Sequence, residues 1–211
     1  MEKPVIIFGA KGIARDALDI FKSNDVVVYG FLDDDKKLHD TAIDDIPVLG
    51  NTEDHGFLKL IGQKCESFVA TDDNKIRKEL VKFLNEKRKV MPTNAIHELS
   101  SIAPSSAIGH GNFINAGVII GSEVEIGHHC IIHSGAIIES GSRIGDYVQI
   151  GAGSIINSNV TIENEAFIGS GSNIISGINI GKKARVGAGS VVIQEVKNNI
   201  TVFGNPAKEV D

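Results

Sequence analysis

From Ile102 to Val192 an aliphatic residue returns at every sixth position without a break. The series runs Ile102, Ile108, Ile114, Ile120, Ile126 and on, in unchanged phase, to Ile180, Val186 and Val192. This period is neither that of an amphipathic helix nor the alternation of a strand, so it marks an internal repeat. Two residues before the aliphatic there is usually a small or aliphatic side chain, as at Ser106, Val118, Cys130, Ala136, Ser154 and Ala184. Glycine often follows it directly, as at Gly109, Gly127, Gly151, Gly169 and Gly187.

Such a repeat predicts a parallel β-helix in which each hexad is one short flat strand and one turn. Three hexads close a triangular coil, and coils stack as parallel strands about 4.8 Å apart. The recurrent aliphatic points inward, the small residue fits the narrow interior, and Gly or Asn relieves turns that need a positive φ. Each buried aliphatic is worth about 1.5–3 kcal/mol, so about five stacked coils share a core that no single hexad owns.

Before the repeat, Val5 to Phe8 is an apolar run followed at once by Gly9-Ala10-Lys11-Gly12. A helical pattern through Ala14, Ala17, Leu18 and Phe21 leads to a second apolar run, Val26 to Leu32, which ends in Asp33-Asp34-Asp35. This is the β-turn-α-β opening of a Rossmann-like α/β unit. The turn lacks the full G-x-G-x-x-G, but its glycines let backbone N–H groups at a helix start approach a phosphate. The acidic strand end suits ribose hydroxyls or a base edge; a tight turn beside a solvated acidic loop is the other reading. Residues 36–50 read as loop, 52–61 as a short helix and Glu66–Thr71 as a third strand. Asn74–Glu86 reads as a helix whose exposed face carries Lys75, Arg77, Lys78 and Lys82. The passage into the repeat falls near residues 88–100, giving an α/β domain over 1–90 and an all-β domain over 91–211.

The chain has 211 residues and a net charge of −6. With no basic cluster, nucleic acid is not an expected partner. No apolar run is long enough for a signal peptide or a membrane span, so a cytoplasmic protein is expected. Cys65 and Cys130 are far apart in sequence, and Cys130 fills a small-residue slot of the repeat, where a reduced core thiol is expected. No metal-ligand pattern is present.

The start VIIFGAKGIA, the FLDDD strand end, the hexads and the closing VFGNPAK together resemble the sugar O-/N-acyltransferases. That family includes sialic acid O-acetyltransferases and bacillosamine-pathway N-acetyltransferases. The resemblance implies a left-handed β-helix, a homotrimer, and acetyl-CoA in the cleft between neighbouring prisms. It also implies a nucleotide sugar held by the N-terminal domain, through Gly9, Ala10, Lys11, Gly12, Asp33 and Asp34. Carried over by position, the CoA contacts are Gln149, Gly169, Ser170, Gly187 and Ala188, with Lys208 within reach of a CoA phosphate.

The same resemblance exposes a departure. The family's base is a histidine in a segment reading roughly Ile-x-His-Glu/Asp-Cys-x-Ile-Gly. Here the matching stretch is Ile137 to Gly145; Ser140 fills the histidine slot, Gly141 the acidic one, and Gln149 replaces a second histidine. A neutral hydroxyl is no general base at neutral pH. His133, in a slot that is commonly Asn in the family, is a candidate replacement, paired with Glu139 beside Ser140. The alternative is a polar residue merely occupying a turn, as for His110, His128 and His129. A sugar amine can attack a thioester unaided once neutral, whereas a hydroxyl cannot, so the departure favours an amino acceptor. Three functions stay open: an acetyl-CoA-dependent transferase acting on a nucleotide-linked amino sugar for a surface glycan, or by O-acetylation on a sialic acid-like sugar; a catalytically degenerate relative that binds nucleotide sugar or CoA; and a structural prism.

Overall fold

The structure, a computed structural model, describes residues Lys3 to Val210. The chain divides between Glu98 and Leu99 into two compact units. Among the described residues no helix is long and apolar enough to cross a membrane.

In the first unit, β1 (Val5–Phe8), β2 (Val28–Leu32), β3 (Ala42–Ile43), β4 (Ile46–Gly50) and β5 (Glu66–Val69) form one sheet in the order β3-β4-β2-β1-β5. All pairs are parallel except β3 with β4. Helices α1 (Ala14–Ser23), α2 (His55–Leu58) and α3 (Asn74–Arg88) connect and cover it. β1 is wholly buried, as a central parallel strand must be. α1 turns Ala14, Ala17, Leu18, Ile20 and Phe21 to the core.

Residues 36–50 are not all loop. Asp44 and Asp45 take φ of 46° and 67°, which closes a tight hairpin between β3 and β4. Buried Val48 then pairs with Phe31 of β2. Arg77 does not lie on an exposed basic face either, being 1% exposed. Its guanidinium turns back to donate to the Thr71 carbonyl at 2.7 Å and to the Asn74 side chain, which satisfies charge that burial would otherwise penalise.

The second unit is the expected prism. Its first face stacks Phe113–Ile114, Ile131–Ile132, Gln149–Ile150, Phe167–Ile168 and Arg185–Val186. The second stacks Ser101–Ile102, Ile119–Ile120, Ile137–Ile138, Ile155–Ile156, Asn173–Ile174 and Val191–Val192. The third stacks Ala107–Ile108, Glu125–Ile126, Arg143–Ile144, Thr161–Ile162 and Asn179–Ile180. Partners are eighteen residues apart, one full coil. From Ile114 to Val192 the recurrent aliphatic is buried throughout.

Interior serines bond to carbonyls at the corners. Ser154 Oγ donates to Gly169 O at 2.9 Å, and Ser172 Oγ reaches Gly169 O at 2.7 Å. Cys130 is a buried thiol outside any disulfide, its Sγ 3.0 Å from Gly145 O. After the last hexad, Thr201–Gly204 pairs in parallel with Arg185–Val186, and Ala207–Val210 folds back against it as an antiparallel hairpin.

Candidate functional site

The first unit carries a cavity of about 390 Å³ lined by Gly9, Lys11, Gly12, Asp33, Asp34, Thr52, Ala70 to Asp73, Ile76 and Leu80. It opens where β1 and β5, neighbours in the sheet, send their chains to opposite sides, at the carboxyl ends of the strands. That is the place where open α/β sheets bind ligands. Gly9 is required by space, since a Cβ there would sit 2.5 Å from the Ala70 carbonyl, at a φ of +105°.

The acidic strand end is organised by this turn. Asp33 Oδ2 accepts the N–H of Ala10 at 2.8 Å and Oδ1 accepts the N–H of Asp35 at 2.8 Å. Asp34 Oδ1 accepts both the N–H and the hydroxyl of Thr52 at 2.9 Å. Lys11 Nζ lies 2.6 Å from Asp35 Oδ2. The Asp35 hydrogen bond raises the Lys11 pKa, and the Lys11 hydrogen bond lowers that of Asp35. Thus Gly9 to Gly12, Asp33 and Asp34 come together as expected, but Asp33 spends its oxygens on the loop's own backbone. Thr52, Asp72 and Asp73 also line the cavity and were not singled out from sequence; the two aspartates are marked there only by their place after the third predicted strand.

On the prism, the corner that follows the first face differs from the other two. Its positive-φ position is glycine in every coil: Gly117, Gly135, Gly153, Gly171 and Gly189, with φ from 65° to 70°. The corner after the third face puts His129, Tyr147, Glu165 and Lys183 in the same conformation, with φ from 58° to 67°. A Cβ added at Gly135, Gly153, Gly171 or Gly189 would meet nothing within 4 Å. The backbone therefore tolerates side chains at such turns, and the first corner is cleared without its own packing demanding it. Along it lie exposed Ser134, Ala152, Ser170 and Ala188. Just before each of these stands His133, Gly151, Gly169 or Gly187. Gly169 is also close-packed, its added Cβ being 2.5 Å from the Ala188 nitrogen.

His133 therefore stands at one end of the column that holds Gly169, Ser170, Gly187 and Ala188. Its N–H donates to Ile150 O at 2.9 Å, and its half-buried ring meets Phe113 edge-on at 6.1 Å between centroids. The expected His133–Glu139 pair is not made within the chain. His133 follows the first face and Glu139 the second, so a turn of the coil sends them to different corners. Among the described residues no hydrogen bond or ion pair joins them. Ser140 is exposed beside Glu139 and in register with Ser122, Ser158 and Ser176, a ladder in which Gly141 N–H donates to Ser122 O and Asn159 N–H to Ser140 O, both at 3.0 Å. Gln149 is half-buried on the first face between Ile131 and Phe167. Lys208 is exposed on the closing hairpin, opposite Phe203.

Three other histidines of the prism, His110, His128 and His129, gather at the third corner. His110 and His128 stack at 5.7 Å, and buried His129 meets Tyr147 at 5.0 Å. Among the described residues no group of His, Cys, Asp or Glu could hold a metal ion.

With this geometry in view, the comparisons with known proteins are specific. A family model described as the PglD N-terminal domain matches residues 4–84. The bacterial transferase hexapeptide (six repeats) matches residues 123–158 and 141–176, and the hexapeptide repeat of succinyl-transferase matches residues 159–194. PerB from Caulobacter crescentus, solved in complex with CoA and GDP-perosamine, has a TM-score of 0.89 at 30% identity, covering 99% of this chain and 97% of that one. Histidine-to-alanine and histidine-to-asparagine mutants of the perosamine N-acetyltransferase of that organism each give 0.90. WeeI from Acinetobacter baumannii AYE gives 0.87 at 26% identity, covering 98% and 99% of the two chains. The acetyltransferase domain of PglB from Neisseria gonorrhoeae FA1090, with acetyl coenzyme A, gives 0.90 at 23% identity over all of both chains, and at that distance shows the fold alone. No curated protein sequence is matched.

Proposed function

Because the chain belongs to the left-handed β-helix sugar N-acetyltransferases that carry a PglD-type N-terminal domain, we propose that it moves an acetyl group from acetyl-CoA to the amine of a nucleotide-linked amino sugar. The cavity at the end of β1 and β5 takes the nucleotide part of the acceptor. The glycine-cleared corner takes the pantetheine arm, laid along backbone that no side chain obstructs. That corner is the observation that carries the reading, since its positive-φ glycines Gly135, Gly153, Gly171 and Gly189 face open space, where an added Cβ meets nothing within 4 Å.

The chemistry is an acyl transfer. The amine nitrogen attacks the thioester carbon, the C–S bond breaks, CoA leaves as its thiol, and the nitrogen gives up one proton. Ser140 stands in the place of the family's histidine, and its neutral hydroxyl is no general base near neutral pH. His133, on the corner assigned to CoA, is the side chain placed to take the proton. We also assign the active form as a trimer, because within one chain His133 and Ser140 lie on different corners; a cleft between copies is what would bring two such corners together.

The test is release of free thiol from acetyl-CoA with a panel of nucleotide-linked amino sugars, with mass spectrometry of the sugar product. Gain of one acetyl on nitrogen is expected. Binding of CoA and nucleotide sugar without turnover would replace this reading by that of a catalytically degenerate binding protein, which the Ser140 and Gly141 substitutions favour.

A further inference from the structure

Two ionisable side chains stand isolated on two different corners of the prism. The first corner comprises residues 115–117 and their equivalents one coil on, 133–135, 151–153, 169–171 and 187–189. Among these residues His133 alone is ionisable. On the second corner the place directly after the strand holds Ala103, Gly121, Glu139, Asn157, Ile175 and Ile193, so Glu139 alone is charged in that column. The third corner is the opposite, with Asp146, Glu163, Glu165, Lys182 and Lys183.

The surroundings show which sides suit another copy. The third face carries an exposed ion pair, Glu125 with Arg143 at 3.7 Å, and suits water. The second face turns Ile119, Ile137, Ile155 and Val191 outward, and Ile119, Ile175 and Ile193 are exposed. An apolar strip of this kind calls for a cover. The prism itself needs the charge of neither isolated residue. Their backbone N–H groups pair with the next coil, Glu139 with Ile156 O at 2.8 Å and His133 with Ile150 O at 2.9 Å, as others in their columns do. Among the described residues no hydrogen bond or ion pair engages the Glu139 carboxylate.

We infer that Glu139 of one copy is the positioning residue for His133 of the partner subunit, so that the proton-transfer pair absent within one chain is made between two. This rests on the transferase reading and its trimer, and deepens both. In a cyclic trimer whose axis runs along the prisms, rotation leaves the height of every residue unchanged. Glu139 follows His133 by six residues, a third of a coil, which is roughly 1.6 Å of rise at the usual strand spacing. The two groups therefore come nearly level when the first corner of one copy faces the second corner of the next. The carboxylate accepts the N–H of one ring nitrogen, which turns the lone pair of the other toward the amine. As the C–N bond forms and the C–S bond breaks, that second nitrogen takes the amine proton and then passes it to the leaving thiolate. The carboxylate stays ionised throughout.

Glu139→Gln should lower kcat at least about tenfold with KM for both substrates little changed, because the carboxylate acts on the base and not on binding. Glu123→Gln, on the same corner but outside that column, should turn over like the wild type. Mixed trimers decide where the pair is made. His133→Ala and Glu139→Gln chains with different tags are co-expressed, and trimers bearing both tags are isolated. If the pair forms between copies, every such trimer holds one site in three with both residues intact, and should recover about a third of the wild-type rate from two impaired parents. A doubly tagged trimer no faster than the mean of its parents, or Glu139→Gln with the wild-type kcat, would overturn the inference and leave the transferase reading standing. Two differently tagged wild-type chains that never co-purify would overturn the trimer and this pair with it. No turnover by the wild type with any nucleotide-linked amino sugar would overturn the transferase reading and the inference together.

Discussion

Asp33 Oδ2 accepts the backbone N–H of Ala10 at 2.8 Å, which ties the end of β2 to the glycine turn after β1. Its other oxygen holds the N–H of Asp35. The carboxylate therefore shapes the cavity rather than offering both oxygens to a ligand. Hydrogen bonds to a charged group are worth about 1.5–3 kcal/mol each, so Asp33→Ala should raise the Kd for nucleotide sugar by roughly tenfold or more. Acetyl-CoA binding should stay within experimental error, because the groove proposed for it lies on the prism. Equal loss of both ligands by calorimetry would show that Asp33 supports the whole fold.

The turn between β5 and α3 makes a second prediction. Asp73 caps α3, accepting the N–H groups of Ile76 at 3.0 Å and Lys75 at 2.7 Å. These bonds hold its carboxyl below the ordinary 3.8. A depressed carboxyl contributes stability that is present above the unfolded value and lost as pH falls through the folded one. Asp73→Ala should therefore melt below wild type at neutral pH, and the two melting curves should converge as the pH drops below 4. A gap that persists in acid would mean that the hydrogen bonds to the charged form are not its source.

Ile150 lies on the prism axis and is fully buried. Ile150→Asp places an unpaired charge among the stacked aliphatics, where it has no partner and no water. A loss above about 4 kcal/mol, enough to prevent recovery of folded protein, is expected. Ile150→Val should cost only about 0.5–1.5 kcal/mol in a denaturant titration.

Most of the prism was legible because its core repeats in strict phase: one misplaced hexad would have turned Ile150 or Ile168 outward. The first unit was legible in outline, but the β3–β4 hairpin was not, since Asp44-Asp45 is an uncommon pair for a turn with two positive φ values. Arg77 misled because spacing on a helix tells which face a residue starts from, not where a long side chain ends. The His133–Glu139 pair is not made within one chain, since six residues in a hexad fold are one corner apart, whereas eighteen bring residues together. The all-glycine corner was in the sequence, but became visible only when the turns were sorted by corner.

That corner can be tested without disturbing the fold. Gly171 has a φ of 69°, and an added Cβ meets nothing within 4 Å. Asparagine accepts this conformation better than most residues. Gly171→Asn should leave the melting temperature close to wild type while weakening CoA at least about tenfold, an effect of filling the groove. Unchanged CoA affinity in a folded variant would remove the first corner as the pantetheine track.

The last prediction concerns the proton. His133 shares the first corner with Gly151, Gly169 and Gly187, and Ser140 does not. If His133 is the base, His133→Ala should lower kcat by about 10²–10⁴, with KM for acetyl-CoA little changed, and the pH–rate profile should lose the limb that an imidazole base produces. His133→Gln would keep a polar group in the slot without a titrating base. It should fail to restore the rate, which separates proton transfer from packing on Phe113. If instead the amine arrives neutral and is positioned by the groove alone, both variants should turn over near the wild-type rate, with the remaining limb following the amine of the substrate. Ser140→His then serves as the cross-check. A gain in rate for Ser140→His, in a His133→Ala background, would show that the second corner reaches the same thioester. That can happen only if another copy supplies it, since one chain keeps the two corners apart. Such a gain should vanish in dilute protein as the assembly dissociates, and sedimentation at matching concentrations would show whether trimers disappear with it.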